Sequence, residues 1–135
     1  MAKSQHLSHV AMSVPPGTLT DEWRKQVLDF YGELFGWTEM DSLRLPDRLT
    51  IAVGASYINV RERADAPAYN GYEHFGVVFR SSDEMRRVYE NASKHDAAGI
   101  TLEPFQESDD GFLSFRLRYM LPLTVEAQCF PNADA

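Results

Sequence analysis

Three side chains in this sequence, His9, His74 and Glu126, have the types that together hold a divalent cation. Two imidazoles and one carboxylate form a facial donor set that leaves coordination positions open. Open positions are what a catalytic centre needs, whereas a structural site is closed. The set suits iron(II), manganese, zinc, nickel or cobalt. A histidine on a strand is commonly just a hydrogen-bonded polar residue. On residue type alone the two readings stand side by side.

The case for bringing the three together comes from an internal repeat. Leu7-Ser-His-Val-Ala-Met-Ser-Val14 and Tyr72-Glu-His-Phe-Gly-Val-Val-Phe79 each carry histidine at the third position and a small residue two later. Apolar residues occupy the opposite parity: Val10, Met12 and Val14, then Phe75, Val77 and Phe79. Period-two alternation predicts a strand with one face on a core. The offset between copies is about 65 residues, a spacing that marks tandem structural units. It maps His9 onto His74, Gly36 onto Gly99 and Asn59 onto Glu126.

Each of these strands leads into a helical pattern. The first spans roughly Thr20 to Leu34, with Trp23, Val27, Phe30, Tyr31 and Leu34 at helical spacing and Thr20 or Asp21 as N-cap. The second spans roughly Ser82 to Ala98, with Ser82 as cap and Met85, Val88, Tyr89 and Ala92 as the stripe. Gly36 and Gly99 suit left-handed helix ends. Strands are expected near Trp37–Ser42, Leu49–Gly54 and Ser56–Arg61, and again near Thr101–Phe105, Phe112–Tyr119 and Thr124–Phe130. The chain therefore reads as α+β: two tandem βαβββ modules, 5–63 and 72–131, joined by a linker over 64–71 that contains Pro67, Asn70 and Gly71.

Strand parity then sorts the side chains. In the last strand, Leu123, Val125, Ala127 and Cys129 form the apolar face, and Thr124, Glu126 and Gln128 the other. A glutamate between Val125 and Ala127 needs a partner. In the first half, Tyr57, Asn59 and Arg61 share the face opposite Ile58 and Val60. His9 and His74 also oppose the apolar parity of their strands, so these positions are expected on one concave, polar surface. Arg116 and Arg118 share the polar parity of their strand and join Arg61 as candidate binders of an anion, because guanidinium forks grip carboxylate or phosphate. Pairing with the chain's own acids is the alternative. Tyr57 can supply a proton or stack on a ring, with plain packing as its alternative; Tyr72 and Gln128 are further candidate wall residues. Cys129 faces the apolar side, where a thiol is inert. Arg61-Glu-Arg-Ala-Asp65 reads as solvated linker.

Composition bounds the partners. The 135 residues are 44% hydrophobic and 24% charged, ordinary values for one globular domain or two small modules. The net charge of −7 argues against nucleic acid and anionic membrane, both of which reward a basic patch. A single cysteine allows no internal disulfide and fits a reducing, cytoplasmic compartment. The opening MAKSQHLSHV does not read as a signal peptide, and no apolar run is long enough to span a bilayer.

Taken together, Leu-Ser-His-Val-Ala-Met-Ser-Val around His9, VLDFYGELFGW over Val27 to Trp37, Glu-His-Phe-Gly-Val-Val-Phe around His74 and Thr-Val-Glu-Ala around Glu126 resemble the vicinal oxygen chelate superfamily. This is the grouping of glyoxalases, bleomycin resistance proteins and extradiol dioxygenases. The resemblance covers nearly the whole chain. It implies an open, cup-shaped mixed sheet with helices outside, around one divalent metal held by His9, His74 and Glu126. It also implies a small oxygenated substrate bound through two neighbouring oxygens, and a homodimer. Glu126 and Tyr57 are then the candidate catalytic residues, and Asn59, Arg61, Arg116, Arg118 and Gln128 the candidate substrate contacts. Asn59 stands where glyoxalase I proteins carry a fourth ligand, usually glutamate, and an amide cannot act as that carboxylate base. The three-ligand set is more similar to extradiol dioxygenases and fosfomycin-resistance thiol transferases. Relative to the latter, Ala11 replaces a threonine, Arg116 a tyrosine, and Tyr119-Met-Leu-Pro122 an Asp-Pro-Asp-Gly turn. A metal-free, bleomycin-resistance-like binding protein is the alternative that the same resemblance offers.

Overall fold

A computed structural model describes residues 4–131; the first three residues of the opening segment discussed above lie outside the described residues. The chain divides into two compact units, Met1–Ala68 and Tyr69–Ala135. Each is α+β, with one helix and its own mixed, unclosed sheet.

In the first unit, β1 (His9–Val14) runs parallel to β4 (Ser56–Glu62). β4 pairs antiparallel with β3 (Arg48–Val53), and β3 with the short β2 (Thr38–Glu39). The order is β1-β4-β3-β2. The connection from β1 is α1 (Asp21–Phe35). The Thr20 hydroxyl caps it by accepting from the Trp23 N–H at 3.1 Å, and Asp21 and Glu22 oppose the positive end of the helix dipole. Gly36, at φ +77°, ends it in the left-handed conformation and donates to the Gly32 carbonyl at 2.9 Å. Val27, Phe30, Tyr31 and Leu34 are buried, as are Met12, Val14, Leu49, Ile51, Ile58 and Val60 from the strands. Each such side chain contributes about 1.5–3 kcal/mol on burial. Tyr31 stacks on Trp37 with ring centroids 5.1 Å apart.

Two polar residues tie this unit together, and neither stands out in the sequence. Arg24 is only 4% exposed, yet among the described residues no carboxylate pairs with it within hydrogen-bond reach. Its guanidinium donates instead to the carbonyls of Leu19, Arg48, Leu45 and Pro46, at 3.1, 3.1, 2.7 and 3.1 Å. It thereby pins α1 to the loop before β3. Glu62, at the end of β4, accepts from the Leu19 N–H at 2.8 Å. That bond and a second from the Gly17 N–H hold its carboxyl below the usual carboxylate range. Part of the charged stretch read as solvated linker is thus a clamp on the loop that leads into α1.

The second unit repeats the plan. β5 (His74–Val78) runs parallel to β9 (Thr124–Cys129), β9 pairs antiparallel with β8 (Leu113–Arg118), and β8 with β6 (Thr101–Leu102). The expected strand over Thr101–Phe105 is broken. Pro104 has no N–H to donate, and pairing resumes only at β7 (Gln106–Glu107), also on β8. The helix α2 (Ser82–Ser93) is capped by the Ser81 hydroxyl, which accepts from the Glu84 N–H at 3.2 Å, rather than by Ser82. It also stops short of Ala98. The Ser93 hydroxyl bonds back to the Glu90 carbonyl and the His95 ring takes the Ala97 N–H, so both serve a turn instead of a continued helix. Met85, Val88 and Ala92 bury the inner stripe, and Leu113, Phe115, Leu117, Val125, Ala127 and Cys129 the sheet face. Tyr89 and Phe105 meet Phe115 at 5.2 and 6.2 Å between ring centroids.

Candidate metal centre

The alternation along β8 and β9 decides which side chains avoid the core. Leu113, Phe115 and Leu117 are buried, while Ser114, Arg116 and Arg118 between them are half-buried. On β9, Val125, Ala127 and Cys129 are buried and Glu126 and Gln128 half-buried. Antiparallel register sets Arg116 directly opposite Glu126 and Ser114 opposite Gln128. Cross-strand neighbours on one face lie within side-chain reach, and these bond. Arg116 Nε donates to Glu126 Oε1 at 2.8 Å, and Gln128 Nε2 donates to Oε2 at 2.5 Å. The partner that Glu126 needed is therefore a clasp of two N–H donors, one per oxygen.

His74 enters from β5 on the other side of β9. Its Nδ1 lies 2.6 Å from the Tyr72 carbonyl. A carbonyl can only accept, so Nδ1 carries a proton, and Nε2 is the ring nitrogen left to act as a ligand when the ring is neutral. That atom stands 3.9 Å from Glu126 Oε1, beyond hydrogen-bond reach. Gly76, opposite Glu126 in the β5–β9 register, makes room for the clasp. A Cβ there would sit 3.3 Å from Gln128 Oε1. The small residue two after each histidine was visible in the sequence; its use as a seat for Gln128 was not.

The first unit places its equivalents in the same register. His9 pairs with Tyr57 and Ala11 with Asn59, as His74 does with Thr124 and Gly76 with Glu126. The His9 ring stacks on Tyr57, centroids 4.7 Å apart and planes 5° from parallel, and its Nδ1 lies 2.8 Å from the Ser8 hydroxyl. Ser8 is a contact that sequence reasoning passed over, although it directly precedes the histidine. Half-buried Asn59 accepts from the buried Thr50 hydroxyl at 3.4 Å. Arg61 is exposed and lies 3.6 Å from Asp47, so its charge has a partner inside its own unit. Arg118 forms no ion pair among the described residues.

Among the described residues, no group of three or more His, Cys, Asp or Glu side chains stands together as a cation cage. The pair that does meet is His74 and Glu126. Its chemistry fits a divalent ion. Glu126 Oε1 is a lone-pair donor, as is His74 Nε2 when its ring is neutral, and a bond from Nδ1 to a carbonyl, as His74 makes to Tyr72, is what orients metal-binding imidazoles. Two ligand atoms about 2.0–2.2 Å from one ion and about 90–110° apart stand roughly 3.0–3.5 Å from each other, so the 3.9 Å pair would close by about half an ångström or more on an ion. The side chains of Glu126, His74 and Arg116 are 15, 26 and 32% exposed, shielded but reachable by a small solute.

No protein-family model matches the sequence, and no curated protein matches it significantly. Solved structures do match over nearly the whole chain. The fosfomycin resistance protein FosX from Listeria monocytogenes, complexed with Mn(II) and sulfate ion, is 16% identical over 98% of this chain and 94% of its own, with a TM-score of 0.68. A lactoylglutathione lyase from Agrobacterium tumefaciens is 18% identical over 92% of each chain, TM-score 0.65. A glyoxalase/bleomycin resistance protein/dioxygenase from Alicyclobacillus acidocaldarius is 19% identical over 96% of this chain and 95% of its own, TM-score 0.63. The fold is that of the vicinal oxygen chelate superfamily, as the sequence resemblance implied. No helix among the described residues is long and apolar enough to cross a membrane.

Proposed function

We propose that the protein is a divalent-metal-dependent enzyme acting on a small, oxygenated and anionic substrate, with His9, His74 and Glu126 as ligands. The observation that carries this reading is His74 Nε2, the ring nitrogen left over once Nδ1 is fixed by the Tyr72 carbonyl, facing Glu126 Oε1 at 3.9 Å. Support for His9 as third ligand is its repeat-equivalent strand position and matching register. When bound, the cation supplies Lewis acidity toward two neighbouring substrate oxygens.

The chain's own groups do the rest. Gln128 holds Glu126 Oε2 and so orients the carboxylate. Arg118, with no ion pair of its own among the described residues, is placed on the polar face of β8 to grip an anionic group, and Arg116 lies two residues away on the same face. Tyr57, ordered by its stack on His9, offers a phenol for proton transfer. Asn59 supplies an amide where a carboxylate base would otherwise stand, and the Thr50 hydroxyl holds it in place. Support for an anionic substrate comes from these arginines and from the sulfate in the Mn(II) complex of FosX. We place the protein in a reducing cytoplasm, as a homodimer.

Incubation of chelator-free protein with Mn(II), Fe(II), Co(II), Ni(II) or Zn(II), followed by desalting and elemental analysis, tests the ligand set. Retention of about one ion per chain, lost in Glu126→Ala and in His74→Ala, is expected of a single His, His, Glu centre. Equal retention in Glu126→Ala removes that ligand from the proposal. An aerobic assay with catechols then divides oxygenase from lyase, isomerase or thiol-transfer chemistry. One observation favours a second reading, a metal-free binding protein. The Glu126 charge already has a cationic partner in Arg116, so the fold does not depend on a metal to satisfy it.

A further inference from the structure

The same oxygen of Glu126 is claimed twice. Oε1 accepts from Arg116 Nε at 2.8 Å and also faces His74 Nε2 at 3.9 Å. Its sister oxygen is held by Gln128. A carboxylate oxygen has two lone pairs, so one direction stays open toward His74 while the other is tied to a guanidinium. A guanidinium in a protein is a permanent positive charge. A dication in the open direction therefore sits beside a fixed positive charge that shares its ligand atom.

We propose that Arg116 is a resident cation that competes with the divalent ion for Glu126, and so sets how tightly, and in exchange for what, the site loads. The inference rests on the proposed cation site. Arg116 keeps the carboxylate neutralised and aimed while the site is empty, and it opposes the incoming charge. It gives up its hold on Oε1 as the ion takes that oxygen. The released fork stays on the polar face of β8, two residues from Arg118. Loading the site thus converts Arg116 from a partner of Glu126 into a donor for an anion. Repulsion between an arginine and a dication a few ångströms away, at the dielectric of a partly exposed site, predicts about a tenfold or larger effect on affinity.

The test is the Mn(II) dissociation constant, measured by water-proton relaxation on the full chain. Arg116→Met keeps the unbranched apolar stem and removes the charge and the donors; Arg116→Lys keeps the charge. Thermal melts in chelator confirm that each variant is folded. Arg116→Met is expected to bind Mn(II) at least about tenfold tighter than wild type, with Arg116→Lys close to wild type, because the opposing charge is then the variable. Unchanged or weaker binding in Arg116→Met overturns the inference and leaves the proposed function standing. Binding by Arg116→Met but not by wild type supports the inference and overturns the metal-dependent function. Binding by neither overturns both. A second readout needs no substitution that could disturb the fold. The Arg116 Nε–H resonance of nitrogen-labelled wild type is expected to shift on addition of Zn(II) as its bond to Oε1 is lost. A resonance that stays put under saturating Zn(II) contradicts the exchange.

Discussion

Arg116 and Glu126 face each other across the β8–β9 ladder, and Arg116 Nε bonds Oε1 at 2.8 Å. With Gln128 on the second oxygen, the carboxylate is held at both ends before any ligand arrives. This pairing predicts a coupling measurable in metal-free protein. In a double-mutant cycle of Arg116→Met and Glu126→Gln, read by urea denaturation in chelator, the coupling is expected to be about 1 kcal/mol, since the pair is shielded but still in contact with solvent. A coupling indistinguishable from zero would mean that the two side chains do not hold each other in solution.

Arg24 predicts a larger effect. Its buried guanidinium satisfies four backbone carbonyls of the segments around Leu19 and Leu45–Arg48. Arg24→Met removes every one of those donors, one from a buried bond and three from part-buried ones. A loss of about 2–4 kcal/mol in unfolding free energy is expected. Arg24→Lys restores a charge but not the planar fork, and is expected to recover less than half of it. A loss below about 0.5 kcal/mol in Arg24→Met, the level of an ordinary surface change, would show that the arginine is not the tie described.

Glu62 predicts an acid-labile contribution. Its carboxyl is held below the ordinary range by the Leu19 and Gly17 N–H groups, so the folded protein favours the ionised form. A depressed carboxyl contributes stability that is fully present above the unfolded value and disappears as pH falls through the folded one. Between about pH 7 and about pH 3, wild type is therefore expected to lose more stability than Glu62→Gln, whose amide does not titrate. Parallel loss in the two proteins would be the contrary result.

The repeat was legible in the sequence because period-two alternation and one offset repeat around His9 and His74, and both strands occur in matching register. The helix stripes were legible for the same reason: burial on one face leaves a periodic trace. The Arg116–Glu126 bond was not legible. Parity puts both on polar faces, but which residue lies opposite which depends on the length of the turn over Tyr119–Leu123, where Met120 adopts φ +60°. Arg24 was hidden because helical spacing tells only where a residue points, and its partners are carbonyls, which every residue has. Glu62 was lost in a charged run whose other members are exposed; only the meeting of β4 with the loop before α1 separates it from them. The second helix was overextended because Gly99 offered a stop that the Ser93 and His95 side chains pre-empt.

The proposed function requires that His74 and Glu126 share a divalent ion. The most direct measurement is Mn(II) binding to chelator-treated protein, wild type against His74→Ala and Glu126→Ala, with electron paramagnetic resonance counting bound and free ion. Saturable binding near one ion per chain is expected in wild type, and its loss in both variants. No saturable binding in wild type, or binding of the same strength in both variants, would contradict it.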